Sequence, residues 1–546
     1  MSANPFGTLN VLVVDDFNSF RITLNKIMYE LGFKNVDSVG TGEEALSLCE
    51  KNHYDLILCD YNLGQGKNGQ QFLEDLRVSK LLKSQDIFIL LSAETSRNVV
   101  MSAYDCEPDA YLTKPITTKV IQQRLKRLLN KRNEMLSIYE SLGKSDIAEA
   151  IRLLKRSVDE NSRHSMDCQK LLGELYLQES SFDEAEAIYR TVLEMRALDW
   201  AQVGLAKVKV AKGEPEKAVQ WLNDIIEENP SCMKAYDALS SALEATNDRD
   251  ALQQNLEKAV EISPMSIGRQ VSLAKTALEN GDAEVAAKAF RKTVKHGANS
   301  CHDTVENQLN YAKAVARFYD NDALKAGEMA KEAIKILNEL EEKQVIDPEL
   351  QTQSKLLGSQ LWAIKGDNKK SKEILDIVAD SLEDQVSVDI DIEIEMVNTL
   401  ISNNEFDRSQ LQLKRMIEKY KNDEAALEKI DPLLSEPVSE KGKKILAKVN
   451  KKGIEAYKAA EYDVAINYFI KVEKRYPRYL GIKLNLAQAI ISQLRQNGID
   501  EASISRCVTI FDVVSRYITA DNAQFKRYRQ LQDMLRAITS PTQEQS

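Results

Sequence analysis

The chain has 546 residues, too many for one hydrophobic core, so two to four domains are expected. Its 43% apolar and 29% charged content suits a soluble globular protein, and a net charge of −11 opposes non-specific binding to nucleic acid or anionic membrane. Seven scattered cysteines (49, 59, 106, 168, 232, 301, 507) with no C-x-x-C pair exclude a disulfide framework. With no signal-peptide layout and no apolar run near the ~18 residues a membrane span needs, they predict a cytoplasmic protein.

The first 116 residues alternate short apolar runs with amphipathic stretches. "NVLVV" (10–14), "VDSV" (36–39), "LILC" (56–59), "IFILL" (87–91) and "AYL" (110–112) read as strands, with "FRITLNKIMYELG" and "GEEALSLCEKN" as helices between them. Five strands separated by helices predict a doubly wound α/β fold on a five-stranded parallel sheet, whose sites form at the carboxyl ends of the strands. Those ends carry unusual residues. Strand 1 runs into Asp15 and Asp16, strand 3 into Asp60, strand 4 into Ser92 and strand 5 towards Lys114. Any one of them could be a cap or turn residue, but together they place three carboxylates, a hydroxyl and a lysine on one sheet edge. Crowded carboxylates repel unless a cation neutralises them. Oxygen-only ligands suit Mg²⁺, Lys114 adds positive charge for phosphoryl oxygens, and a remaining carboxylate is a nucleophile able to form an aspartyl phosphate.

With that motif set, residues 8 to about 130 resemble the receiver domain of two-component response regulators. The resemblance implies that Asp60 is the phosphoacceptor, with Mg²⁺ held by Asp16, more remotely by Asp15, and by Asp60 and the main-chain carbonyl of Asn62. It further implies Ser92 as switch hydroxyl, Tyr111 as switch aromatic, Lys114 as phosphate-binding lysine and a cis Lys114–Pro115 peptide. Asn62 and Glu94, two residues after Asp60 and Ser92, resemble the pair that tunes dephosphorylation in fast chemotaxis regulators. The sequence departs from the family at Leu63-Gly64, where Met-Pro is usual, in a loop to Gly69 that is one residue longer, and at Asn68, often an aspartate.

From Thr117 a helix can continue to about Glu140 without Gly or Pro, and Asp146 opens an Asp-x-x-Glu start. Positions 121, 125, 128, 132, 135 and 139 form a heptad seam interrupted by Arg132. That seam suits packing on the next helix pair, or a homodimer through this extension.

Beyond it the sequence turns helical. "VSVDIDIEIEM" (386–396) alternates like a strand but reads as an extended lead-in with helix from about 391. Gly213 and Gly281 are 68 residues apart and Pro230 and Pro264 are 34 apart, giving a period of 34. Gly173, Tyr176, Ala185 and Tyr189 fall in phase, as do Gly453, Tyr462, Ala465, Phe469 and Pro477. Small residues permit close helix crossing, aromatics fill the gap and proline ends the second helix. This matches tetratricopeptide (TPR) spacing and predicts an all-α TPR solenoid of about eight units.

The expected organisation is a receiver at 1–130, a helical connector at 131–145 and TPR-like repeats at 146–430, clearest around 168–298. An interruption at 431–444 precedes further repeats at 445–515, with a capping helix and tail at 516–546. The implied function is phosphorelay signalling, in which a histidine kinase or phosphotransfer protein phosphorylates the receiver, controlling a protein ligand on the concave repeat face. No independent substrate turnover is expected. Two other classes lack their residues. A DNA-binding regulator needs a recognition helix with basic flanks, and none is recognisable. A haloacid-dehalogenase-like phosphatase needs a second Asp two positions after the nucleophile, where Asn62 stands.

Overall fold

The computed structural model describes residues 6–93, 96, 101, 105–318, 323–342, 347–383, 388–515, 518, 520 and 522–539. The chain divides into two compact units, residues 1–276 with 285–311, and residues 277–284 with 312–546.

The first unit opens with five parallel strands in the order β2-β1-β3-β4-β5: β1 Asn10–Val14, β2 Asn35–Val39, β3 Leu56–Asp60, β4 Ile87–Ser92 and β5 Ala110–Thr113. β3 and β4 are buried along their whole length, which explains why they read as unbroken apolar runs. Alternate residues face opposite layers. Val11, Val13, Leu56, Leu58, Ile87 and Ile89 pack beneath α1 (Asn18–Leu31) and α4 (Thr118–Gly143). Leu12, Val14, Ile57, Cys59, Phe88 and Leu90 pack beneath α2 (Gly42–Lys51) and α3 (Gly69–Val78).

The loop with the unfamiliar Leu63-Gly64 is well held. Asn68 caps α3 by accepting from Gln71 N (2.9 Å), and the Gln71 side chain accepts from Asn68 N (2.8 Å), a reciprocal capping box. Gly69 lies so close to the Asp60 carbonyl that any Cβ there would collide with it.

α4 continues through residue 130 and ends at Gly143. Ile121, Leu125 and Leu129 belong to the sheet core, while Met135 and Ile138 belong to the first helical core. Arg132, the outlier in the seam, donates to Asp55 (2.5 Å) and to the Gln85 carbonyl (2.9 Å). The seam that suited a homodimer is therefore spent on packing within the chain.

Helices follow in pairs: α5 Ile147–Asp159, α6 Ser165–Gln178, α7 Phe182–Met195, α8 Asp199–Ala211, α9 Pro215–Glu228, α10 Met233–Ala245, α11 Arg249–Ile262, α12 Ile267–Glu279, α13 Ala283–Gly297 and α14 Val305–Phe318. Asp146 caps α5 by accepting from Glu149 N (3.1 Å). The repeat is written in the backbone. Ser145, Ser180, Gly213, Asn247 and Gly281, 33 to 35 residues apart, all have positive φ and close one helix of each pair. Asn247 fills the position midway between the two glycines, since asparagine tolerates the left-handed region. The Tyr189 ring sits where a Cβ on Gly173 or Gly204 would fall, at 2.7 and 2.5 Å. In this way one aromatic seals two helix crossings.

In the second unit, Phe469 meets Gly453 in the same manner. Helix Ile390–Ser402 begins one residue before the position expected from the alternating stretch. Its buried Glu395 is paired with Lys313 (2.8 Å) and accepts from Gln360. The expected interruption is a built corner: buried Asp431 accepts from Val438 N (2.7 Å), Ser439 N (3.1 Å) and the Ser439 hydroxyl (2.5 Å), and helix Glu440–Lys458 follows directly. Among the described residues, no helix is long and apolar enough to cross a membrane.

Candidate functional site

At the carboxyl edge of the sheet, β1 delivers Asp15 and Asp16 and β3 delivers Asp60. Their carboxylate oxygens lie within 4.8 Å of one another. Lys114 Nζ reaches Asp15 Oδ2 at 2.7 Å and Asp60 Oδ2 at 2.9 Å. Asp15 is fully buried, and its other oxygen accepts from Phe17 N (2.9 Å). Asp16 is exposed. Burial, followed by the charges of Asp15 and Asp16, pushes Asp60 up to about 6, although Lys114 pulls the other way. Burial also opposes the charge on Lys114, but its contacts with Asp15 and Asp60 outweigh this and hold it above the ordinary lysine value.

A cavity of about 320 Å³ opens beside these groups, lined by Asp60, Asn62, Ser92, Lys114, Phe17 and Phe20. Ser92 is buried at the end of β4, and its carbonyl accepts from Lys114 N (2.8 Å). Asn62 is exposed, and its side chain accepts from Gly64 N (3.2 Å), turning the loop. Tyr111 is half-buried beside the Cys59 and Leu90 layer, and the Lys114–Pro115 peptide is cis. Glu94 lies outside the described residues. Sequence reasoning missed two neighbours. Phe20 places its ring 4.2 Å from Lys114 Nζ, and Arg21 donates to the Asp15 carbonyl (2.6 Å). The signal was the "FNSFR" that follows Asp16, where helical spacing puts Phe20 and Arg21 over the strand end.

The family of response regulator receiver domains matches residues 11–126, and the tetratricopeptide repeat family matches residues 140–200. The chemotaxis protein CheY-3 of Vibrio cholerae is 26% identical over 123 residues, 22% of this chain and 93% of that protein. CheY of Pseudomonas aeruginosa is 26% identical over 125 residues, 23% of this chain and 99% of its own. A solved structure of CheY4 from Vibrio cholerae, 26% identical, covers 22% of this chain and 98% of its own, with a TM-score of 0.21. The chain carries a receiver domain followed by a TPR-like helical region.

The receiver touches the repeats beyond the shared helix α4. Asp105 accepts from the Ser263 hydroxyl (2.5 Å) and from Arg269 (2.7 Å), and Arg269 also grips Asp237 through two nitrogens. Met101 joins the apolar cluster of Met233, Tyr236 and Ala259. Glu107 pairs with Lys234. From α3, Gln71 donates to the His296 carbonyl (2.6 Å) and Asp75 accepts from Cys301 N (2.8 Å). None of the contacts between receiver and repeats was visible in the sequence, because their partners lie more than a hundred residues apart and carry no motif.

Proposed function

We propose that this protein is a phosphorelay regulator, in which Asp60 takes a phosphoryl group from a histidine kinase or phosphotransfer protein and thereby controls protein binding by the repeats. The observation that carries the reading is Lys114 Nζ bridging Asp15 and Asp60 at the mouth of a cavity. An ionised carboxylate there attacks phosphorus, and the bond from phosphorus to the donor's leaving nitrogen breaks. Lys114 and the Ser92 hydroxyl would receive the phosphoryl oxygens. Asp15, Asp16, Asp60 and the Asn62 carbonyl would hold Mg²⁺, and a trio of carboxylate oxygens within 4.8 Å with one lysine fits a hard divalent cation. When bound, the ion supplies charge neutralisation of the phosphoryl group. We read the receiver as a signalling module without independent turnover, and Asn62 with Glu94 as the residues that set phosphate lifetime.

One feature supports control of the repeats. Ser92 and Tyr111 flank a segment whose Met101, Asp105 and Glu107 contact repeat helices, so a change at the phosphorylation site moves groups already engaged there. Incubation with a small phosphodonor and Mg²⁺ should add one alkali-labile phosphate per chain, and Asp60→Asn should add none. Equal labelling of the Asn variant would overturn the assignment. Replacing Asn62 and Glu94 with bulky apolar residues should change the decay rate by about tenfold or less, below the ~10²-fold of a proton-transferring group. An unchanged rate would remove them from that role.

A further inference from the structure

The contact between receiver and repeats gathers three side chains whose chemistry is not that of an ordinary ion pair. Glu74 on α3 meets Cys301 and His302, adjacent in the loop after α13, and one ligand atom from each lies within 4.8 Å of the other two. Sulfur, imidazole nitrogen and carboxylate oxygen form a donor set for Zn²⁺ and similar borderline ions rather than for Mg²⁺. His302 Nε2 stands 3.5 Å from Glu74 Oε2. With zinc bonds near 2.0–2.2 Å to nitrogen and oxygen, the edge of a tetrahedral site is about 3.4 Å.

The surrounding bonds leave one carboxylate oxygen available. Glu74 Oε1 accepts from the Cys106 thiol (2.9 Å) and from Gln70 Nε2 (3.3 Å). Oε2 is buried and has no hydrogen-bond partner, only the His302 ring at ion-pair distance. Such a group costs free energy unless something positive completes it. The loop is also fixed before any ion arrives. Cys301 N donates to Asp75, His302 N donates to the Ser300 hydroxyl (3.2 Å), and the His302 carbonyl accepts from Asn307 (3.0 Å). Two adjacent ligands on a rigid loop facing a third on a helix form a preorganised half-shell.

We propose that Glu74, Cys301 and His302 bind a zinc-class divalent cation that ties the receiver to the helical repeats. Three protein ligands leave a fourth position for water, and the Cys106 thiol orients Glu74 from behind. Without the metal the same groups form a His302–Glu74 ion pair; the metal replaces the proton on His302 and the proton on Cys301.

The full-length protein, stripped with chelator and supplied with saturating Mg²⁺ to occupy the acidic site, should be titrated with Co²⁺. The expected result is one equivalent bound, with a thiolate-to-cobalt charge-transfer band and tetrahedral visible bands, both displaced by Zn²⁺. Cys301→Ser should abolish the thiolate band and Glu74→Gln should weaken binding by about tenfold or more, while Asp60→Asn should bind as wild type. Glu74→Gln keeps the size of the side chain, so it separates ligand loss from misfolding. A wild-type titration with no thiolate band, a band that persists in Cys301→Ser, or unchanged affinity in Glu74→Gln would overturn the site and leave an ion pair.

Discussion

The sheet edge and the α3 face of the receiver solve the same electrostatic problem by different means. At the edge, Asp15, Asp16 and Asp60 come from strand ends and a single cation, Lys114, answers them from β5 of the same fold. On the α3 side, Glu74, Asp105 and Glu107 are answered by the cations His302, Arg269 and Lys234, all from the repeats, while Asp75 accepts from Cys301 N and also pairs with Lys67 of the receiver. The first arrangement comes with the fold. The second exists only when two parts of the chain meet, so its loss should register as separation rather than as lost chemistry.

The largest effect tests the sheet edge. Asp60→Asn should abolish phosphorylation and at the same time stabilise the fold. An unfolded aspartate titrates near 3.9, whereas folded Asp60 titrates at about 6, so the folded state binds more protons between those values. Stability is therefore lost as pH rises from about 4 to about 6 and stays lost above. The Asn variant should gain about 1–3 kcal/mol at pH 7 in chelator-containing buffer, measured by denaturant titration, and the gain should vanish by pH 4. Asp86, pushed up to about 7 mainly by burial, titrates in a similar range, so the difference between variant and wild type is the quantity to read. A variant no more stable than wild type would mean that the edge stores no charge strain.

That edge was legible in the sequence because each of its residues ends a strand recognisable by itself, and so was the five-stranded sheet. The repeat phase was legible through Gly173, Tyr189 and Gly213. Asn247, which carries the same backbone role, was not, because an asparagine announces a turn without announcing a period. The contacts of Asp105 and Glu74 were invisible for a firmer reason: their partners are set by how helices 150 to 230 residues downstream pack, and acidic residues on exposed helices usually face water.

The next effect breaks the second arrangement. Arg269 is 11% exposed and grips Asp105 and Asp237 together. Arg269→Ala should cost about 2–3 kcal/mol, less than the 3–5 of fully buried pairs because Asp237 is half in solvent. Hydrogen exchange should quicken in α3 and around residues 263–269, while Asp60 still accepts phosphate at the wild-type level. Loss of labelling in this variant would show that the two regions are not separable.

A third test enters from the repeats alone. Gly204→Ala puts a methyl group 2.5 Å from the Tyr189 ring and should lower stability by about 1–3 kcal/mol through overpacking. Combining it with Tyr189→Leu should recover part of that loss. Phosphorylation should be unaffected, because the damage lies outside the sheet. An unchanged melting temperature for Gly204→Ala would count against the tight helix crossing.

The smallest effect concerns the connection between the regions. From the sequence, α4 reads as a stiff connection, so four glycines inserted after Leu142 ought to leave phosphorylation intact and uncouple it from partner binding. The structure argues otherwise. Upstream of the insertion, α4 is held to the receiver by Arg132 and Leu129, while Met135 and Ile138 already lie in the first helical core. Asp105, Glu107, Gln71 and Asp75 make their contacts with the repeats without using the connection at all. What the insertion removes is the turn after α4, where Ser145 N and Asp146 N donate to the Leu142 and Ser141 carbonyls (both 2.9 Å). The added closure entropy of a slightly longer loop is only about 0.6 kcal/mol or less. The insertion alone should therefore leave hydrogen-exchange protection of α3 within error of wild type, and only when it is combined with Arg269→Ala should the receiver come away from the repeats. Loss of α3 protection from the glycines alone would restore α4 as the sole carrier and reduce the Asp105–Arg269 contact to a bystander.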